Sequence, residues 1–235
     1  MKGMTGTSFW LLMVLLVSLP LLLLIGCGEE ETAGDPDIVL ILLDTFRADH
    51  MSMNGYFRNT TPVMDSLAGS GTMWTRVQAQ SCWTLPSMAS ILTGLPPRSS
   101  SAGKFSGNYY GIDPTLFTLP IMLKRRAGYQ TAAFFNSDLM SEDFGFDAGF
   151  DYFDCQGIIG KSNVRNARQT VVDFLEWYDE ERETDIPLFA ALHFNDPRLP
   201  YSPPPPYDTL YAHPKIDPLF NRKWGSRIQV DELSS

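Results

Sequence analysis

The chain has 235 residues, 44% of them hydrophobic and 19% charged, with a formal net charge of −9 at pH 7. That length suits one substantial domain. The acidic balance excludes nucleic acid and an anionic lipid surface as expected partners, and the sequence contains no internal repeat.

Residues 1–26 read as an export signal: Lys2 is the only charge before an apolar run over residues 9–25, which closes on Leu24-Ile25-Gly26-Cys27. The closing tetrad resembles a bacterial lipobox, cut before Cys27 and lipidated on it. A transmembrane anchor is the alternative for a run of this length, but Pro20 and the small Gly26 favour cleavage. The implied location is the bacterial cell envelope, lipid-anchored on a periplasmic or extracytoplasmic face. Residues 27–36 are acidic, include Gly34 and Pro36, and read as a solvated tether. The remainder, 37–235, reads as one domain. With Cys27 lipidated, Cys82 and Cys155 either pair in an oxidising compartment or stay buried and reduced, the second reading being preferred.

Residues 38–43 form a continuous apolar run, the mark of a strand covered on both faces. Thr61-Pro62 opens a short helix through Leu67 and Ala68, stopped near Gly69 and Gly71. Pro86 opens a second, with Gly94 as its stop. Thr118-Leu119-Pro120 opens a third that ends at Ala127-Gly128, and residues 131–135 read as a second buried strand. Val164, Ala167, Val171, Phe174, Leu175 and Tyr178 share one helical face. Pro187 precedes a third strand over 188–192, and residues 203–206 are a polyproline surface loop. This alternation predicts a doubly wound α/β fold, a mostly parallel sheet flanked by helices. Ligands in such sheets gather at the carboxyl ends of the strands, where Asp44, Asn136 with Asp138, and His193 all fall.

The most informative stretch is Cys82-Trp83-Thr84-Leu85-Pro86-Ser87-Met88-Ala89-Ser90-Ile91-Leu92-Thr93-Gly94. It sets the Thr84 hydroxyl at a helix mouth, where free N–H groups and the helix dipole favour an anion. Such a hydroxyl is placed to attack a phosphate or sulfate ester; the plainer alternative is a helix cap. The spacing resembles the signature of the sulfatase and alkaline-phosphatase superfamily: Cys or Ser, any residue, Pro, Ser, Arg, leading to Thr-Gly. Thr84, Pro86, Ser87, Thr93 and Gly94 match in register, with Thr84 at the nucleophile position and Met88 at the arginine position. Type I sulfatases convert that Cys or Ser to formylglycine. Threonine cannot give the same aldehyde, and Cys82 lies two positions too early. A threonine here looks like the phosphodiesterase, phosphopentomutase and lipoteichoic-acid-synthase branches.

Other blocks extend the resemblance. Asp44-Thr45-Phe46-Arg47-Ala48-Asp49-His50, continuing to Gly55-Tyr56, resembles the first metal-binding block, with Thr45 where many sulfatases carry a second acid. The resemblance implies that Asp44 and Thr84 share one divalent metal ion (calcium, manganese, magnesium or zinc) that would activate the hydroxyl. Their oxygens should then lie within one metal's reach, roughly 4–5 Å. The plain reading of Asp44 is a helix cap or turn residue; Asp49 and His50 read as a structural loop pair. Gly128-Tyr129-Gln130-Thr131-Ala132 matches the block that leads to a catalytic lysine and histidine, whose positions hold Asn136 and Asp138. Asn136 could bind an ester oxygen or serve a structural turn. Residues 143–154, with Phe144-Gly145-Phe146 and Gly149-Phe150-Asp151, read as an aromatic scaffold loop.

His193-Phe194-Asn195-Asp196-Pro197-Arg198-Leu199-Pro200-Tyr201 resembles the block that presents a substrate-binding histidine, here replaced by Arg198, whose guanidinium can grip a sulfate or phosphate. His193 is an acid–base or anion contact, or a satisfied structural histidine. No Asp-His-Gly or Asp-Asn-Gly triplet follows Tyr201. The resemblance therefore covers the front part of an alkaline-phosphatase-like domain, and the expectation is a truncated chain, inactive without the rear metal ligands. A natural short protein is the alternative. For the full-length form, the resemblance implies a metal-dependent hydrolase of a small anionic ester, using Thr84 for phosphoester hydrolysis or phosphoryl transfer. The alternatives are a sulfuric ester hydrolase without formylglycine and a non-catalytic scaffold lipoprotein.

Overall fold

The computed structural model describes residues 34–157, 165–198 and 203–211. The leader, Cys27, Val164, Tyr201 and the last residues of the chain lie outside them.

The strands in chain order are β1 (Ile38–Leu43), β2 (Gly103–Phe105), β3 (Asn108–Tyr110), β4 (Gln130–Phe135), β5 (Tyr152–Cys155) and β6 (Leu188–Phe194). Four of them form one parallel sheet in the order β1-β6-β4-β5, while β2 and β3 make a separate antiparallel hairpin. The helices are α1 (Pro62–Gly69), α2 (Thr84–Thr93), α3 (Pro97–Ser100), α4 (Leu119–Ala127) and α5 (Ala167–Glu181). The central strands β4 and β6 are buried along their whole length. Side chains alternate between the faces of a strand, so Ala133 and Phe135 pack with Leu85, Ala89 and Leu92 of α2. Ala132 and Phe134 pack on the other face with Trp177 of α5. Helices thus cover both faces of a parallel sheet, the doubly wound arrangement predicted.

Three local expectations are corrected. β1 is a strand, but only Leu42 in it is buried and Ile41 is 56% exposed, because among the described residues β6 is its one neighbour in the sheet. Helix α2 begins at Thr84, which leaves Pro86 inside the first turn, and Gly94 closes the helix at φ 69° with its N–H on the Ser90 carbonyl. In α5 the inward face runs through Ala167, Thr170, Phe174, Trp177 and Tyr178, whereas Val171 and Leu175 are exposed. Rings drive that rotation: Phe134 meets Phe174 and Trp177 edge to face, at centroid distances of 5.7 and 6.1 Å. The aromatic scaffold over 143–154 behaves as expected, with Phe146, Phe150 and Phe153 ringing Phe135. Among the described residues no helix is long and apolar enough to cross a membrane.

Candidate active site

Asp44 follows β1 directly, and its N–H donates to the carbonyl of Phe194 at 3.0 Å, which fixes it beside the end of β6. Thr84 is the first residue of α2. The residue before the helix is Trp83, which makes no side-chain cap, so the Thr84 hydroxyl is not spent on capping. Instead its Oγ1 donates to Asp44 Oδ2 at 3.2 Å, and both residues are buried. The first-turn N–H groups of a helix lack intrahelical acceptors, so an anion arriving at Thr84 meets donors.

Two further groups face the same carboxylate oxygen. His193 Nε2 lies 3.9 Å and Arg198 Nη1 3.5 Å from Asp44 Oδ2. His193 is fully buried, and its Nδ1 accepts the backbone N–H of Asn136 at 3.4 Å. In a neutral imidazole one nitrogen accepts and the other carries the proton. Burial draws the pKa of His193 down to about 4, against the Asp44 carboxylate, which pulls it up. The ring is therefore neutral with its proton on Nε2, which has no hydrogen-bond partner among the described residues and lies 3.9 Å from Asp44 Oδ2. His193 offers the site a donor rather than a metal-binding lone pair. Arg198 keeps its side chain 43% exposed, so an incoming anion can reach the guanidinium. Thr45 sits at φ 54° and donates from Oγ1 to the Pro197 carbonyl at 3.1 Å, tying down the turn that carries Arg198. Two residues beyond His193, Asn195 holds a buried side-chain oxygen without a hydrogen-bond partner among the described residues.

Of the two readings of Asn136, an ester contact or a structural turn, its hydrogen bonds fit the structural one. It is 1% exposed; its Nδ2 donates to Thr170 Oγ1 at 2.9 Å and to the His193 carbonyl, and its Oδ1 accepts from Arg165 Nε at 2.8 Å. Both amide protons and the oxygen face inward, because a buried amide must find partners there. Arg165, absent from the sequence reading, organises this layer. Its buried guanidinium pairs with Asp154 and Asp173 and also reaches the Phe135 carbonyl. A single arginine just ahead of a helix carries no periodic signal, and only the charged partners converging on it in three dimensions reveal it. Asp138 Oδ1 accepts from the N–H of Leu139 in a short 3-10 turn. Asp49 is clamped by Arg47 and His50 in an exposed loop, as expected of a structural pair. Cys82 and Cys155 are both free. Cys82 is exposed, whereas burial pushes the Cys155 thiol up to about 11.

Among the described residues no group of three or more His, Cys, Asp or Glu gathers to hold a metal ion. Asp44 and Thr84 nevertheless fit a hard divalent ion in kind, as two oxygen donors 3.2 Å apart.

A strand-end carboxylate thus faces a helix-borne hydroxyl on a doubly wound α/β sheet, and similar solved structures share this fold, of the alkaline-phosphatase type. The Sulfatase family model matches residues 36–221, and the chain belongs to that family. Among curated relatives, an N-acetylgalactosamine-6-O-sulfatase of Bacteroides thetaiotaomicron is 35% identical over 125 residues, 48% of this chain and 24% of the relative. An N-acetylglucosamine-6-O-sulfatase of the same organism is 28% identical over 219 residues, 85% of this chain and 38% of the relative. The chain thus spans well under half the length of either. One similar solved structure, captured in complex with its substrate D-glucosamine-2-N,6-O-disulfate, aligns with a TM-score of 0.60 at 25% identity, covering 72% of this chain and 36% of that one. The phosphonate monoester hydrolase of Agrobacterium radiobacter aligns with a TM-score of 0.56 at 21% identity, covering 74% and 43%. Its likeness is one of fold. Members of this superfamily typically bind a divalent metal.

Proposed function

We propose that the chain carries the nucleophile of a metal-dependent ester hydrolase acting on a small anionic ester, by phosphoester hydrolysis or phosphoryl transfer through Thr84. The observation that carries this reading is the 3.2 Å hydrogen bond from Thr84 to Asp44 at a helix mouth. Thr84 Oγ1 attacks phosphorus, forming a threonyl ester and breaking the bond to the leaving alcohol. Its proton passes to Asp44, and the leaving oxygen takes one from water. Water, or an acceptor hydroxyl, then cleaves the threonyl ester. His193 Nε2–H and Arg198 both lie where they could donate to the non-bridging oxygens, the guanidinium through two parallel bonds. One divalent ion, calcium, manganese, magnesium or zinc, with Asp44 and Thr84 among its ligands, would lower the hydroxyl's pKa and offset charge on the transferred group.

A sulfuric ester hydrolase that works without formylglycine is the second reading, favoured by the two 6-O-sulfatase relatives. The protein produced from its own gene should be assayed with bis(4-nitrophenyl) phosphate and 4-nitrophenyl sulfate, with each of the four ions. The phosphodiester should be the better substrate, and Thr84→Ala should lower kcat/KM by about 1,000-fold or more, with partial recovery in Thr84→Ser. A sulfate preference would establish the second reading. Absence of turnover with every ion would leave a non-catalytic scaffold.

The anchor belongs to the same proposal: lipidation of Cys27 would hold the protein at the outer face of a bacterial membrane. A palmitate analogue should label the wild type and miss Cys27→Ser; equal labelling of both would sink the anchor.

A further inference from the structure

A buried donor left unpaired is costly, and His193 Nε2–H is such a donor among the described residues. A chain of contacts running away from the site holds it in place. The ladder between β4 and β6 ends where Phe134 faces Leu192, and just beyond that point side chains join the two strands. The backbone N–H of Asn136 donates to His193 Nδ1 at 3.4 Å, and the Asn136 amide donates in return to the His193 carbonyl. A neutral imidazole whose Nδ1 accepts carries its proton on Nε2. An asparagine amide can sit either way round, and Arg165 decides which. A guanidinium has donors and no acceptor, so its Nε, 2.8 Å from Asn136 Oδ1, turns the oxygen toward itself and the NH2 toward His193 and Thr170. Thr170 Oγ1 donates its own proton to the Asn166 carbonyl at 3.0 Å, which leaves it an acceptor for that NH2. Asp154 and Asp173 hold Arg165, and Gln169 steadies Asp173 at 2.7 Å.

We propose that Asn136 and Arg165 are positioning residues for the ester reaction: Arg165 orients the Asn136 amide, Asn136 sets the His193 ring, and the ring presents Nε2–H to a non-bridging oxygen of the ester at Thr84. The inference rests on Thr84 as the reacting residue. Neither positioning residue touches the ester. The position where the resemblance expects a catalytic lysine keeps a part in the reaction at one remove, because its asparagine aims a donor carried by β6.

Long-range proton–nitrogen correlation spectra of the full chain, labelled with nitrogen-15 and kept at neutral pH, test this, because they distinguish a ring protonated on Nε2 from one protonated on Nδ1. The chain holds three histidines, so His50→Gln and His213→Gln assign the third ring by elimination. Wild-type His193 should be a single Nε2–H ring, and the two Asn136 amide protons should exchange slowly. Asn136→Asp keeps the backbone N–H and the size but lacks the NH2. It and Arg165→Met should each lower the tautomer ratio by about fivefold or more, and Arg165→Lys, whose ammonium also only donates, should restore part of it. The kcat for bis(4-nitrophenyl) phosphate should fall about tenfold in the same two variants with KM nearly unchanged, and recover in part with lysine. A role confined to stability would lower melting points and leave the ring and kcat of the folded protein unmoved, which would overturn the inference. A wild-type ring protonated on Nδ1 would overturn it too. Where a variant does not fold, the wild-type Asn136 amide decides: slow exchange upholds the inference and rapid exchange overturns it. Turnover in the wild type with the ring unmoved in both variants would overturn the positioning role and leave the hydrolase reading standing. A ring that shifts as expected in a protein without turnover would do the reverse.

Discussion

Replacing Arg165 by Met tests the layer beneath the site, because the two side chains have similar volume while every polar contact is lost. The guanidinium side chain is 1% exposed and pairs with Asp154 and Asp173, whose side chains are 20% and 21% exposed. It also satisfies Asn136 Oδ1 and the Phe135 carbonyl. Removing one partner of a buried ion pair costs about 3–5 kcal/mol. Residual solvent at the two aspartates places this case at the lower end, about 3 kcal/mol. For a domain of this size that corresponds to a melting point lower by about 6–12 °C. Differential scanning calorimetry or urea unfolding measures it. Arg165→Lys should fall between, since an ammonium cannot span four acceptors in a fixed fork. The pH dependence is a second readout. Burial pushes the Asp173 carboxyl up, but hydrogen bonds from Gln169 and Arg165 outweigh it and hold its pKa below the usual aspartate value. A depressed carboxyl contributes stability above its unfolded pKa and loses it as pH falls through the folded one. The deficit of Arg165→Met should therefore be full at neutral pH and shrink below about pH 4. A loss under about 1 kcal/mol, or a deficit independent of pH, would refute the assignment of Arg165 as the layer's organiser.

Thr45 stands where the resemblance puts a second acid beside Asp44, at a positive φ that aspartate tolerates. Thr45→Asp should tighten manganese binding by about tenfold in calorimetry, and unchanged affinity would place the ion elsewhere. The cysteines should separate by reactivity: iodoacetamide at pH 8 should label exposed Cys82 in the native protein and leave Cys155, whose thiol is pushed up to about 11, untouched until urea is added. Native labelling of Cys155 at a comparable rate would contradict its burial.

What the sequence made legible is local. Continuous apolar runs located β1, β4 and β6, and Pro and Gly punctuated the helices close to their observed ends. Asp44 and Thr84 could be found because one ends such a run and the other stands at a helix mouth. The exposed edge of β1 was not legible, since sheet order depends on pairing between distant strands. The network through Asn136 was hidden for the same reason: its partners lie 29, 34 and 57 positions away. The hairpin β2–β3 left one usable sign, the Ser106-Gly107 pair between aromatic residues. Its strands were too short for periodicity to register.

The position of β1 has a consequence for how the site comes into being. β1 leaves the ribosome early, yet among the described residues its one neighbour in the sheet is β6, with Asp37 and its partner Leu188 separated by 151 positions. At about 5–20 residues per second, synthesis of that stretch takes roughly 8–30 seconds. Through that interval the apolar edge of β1 has no strand to lie against, and Asp44 has neither the Phe194 carbonyl that anchors it nor His193 and Arg198 beside it. Helix α2 has ten residues, too few to hold alone in water, and the Ala133 and Phe135 it packs on come only with β4, so Thr84 too waits for the sheet. The reacting pair is thus joined only once β6 is made, and nascent chains released before residue 194 would carry the hydroxyl without the geometry that directs it.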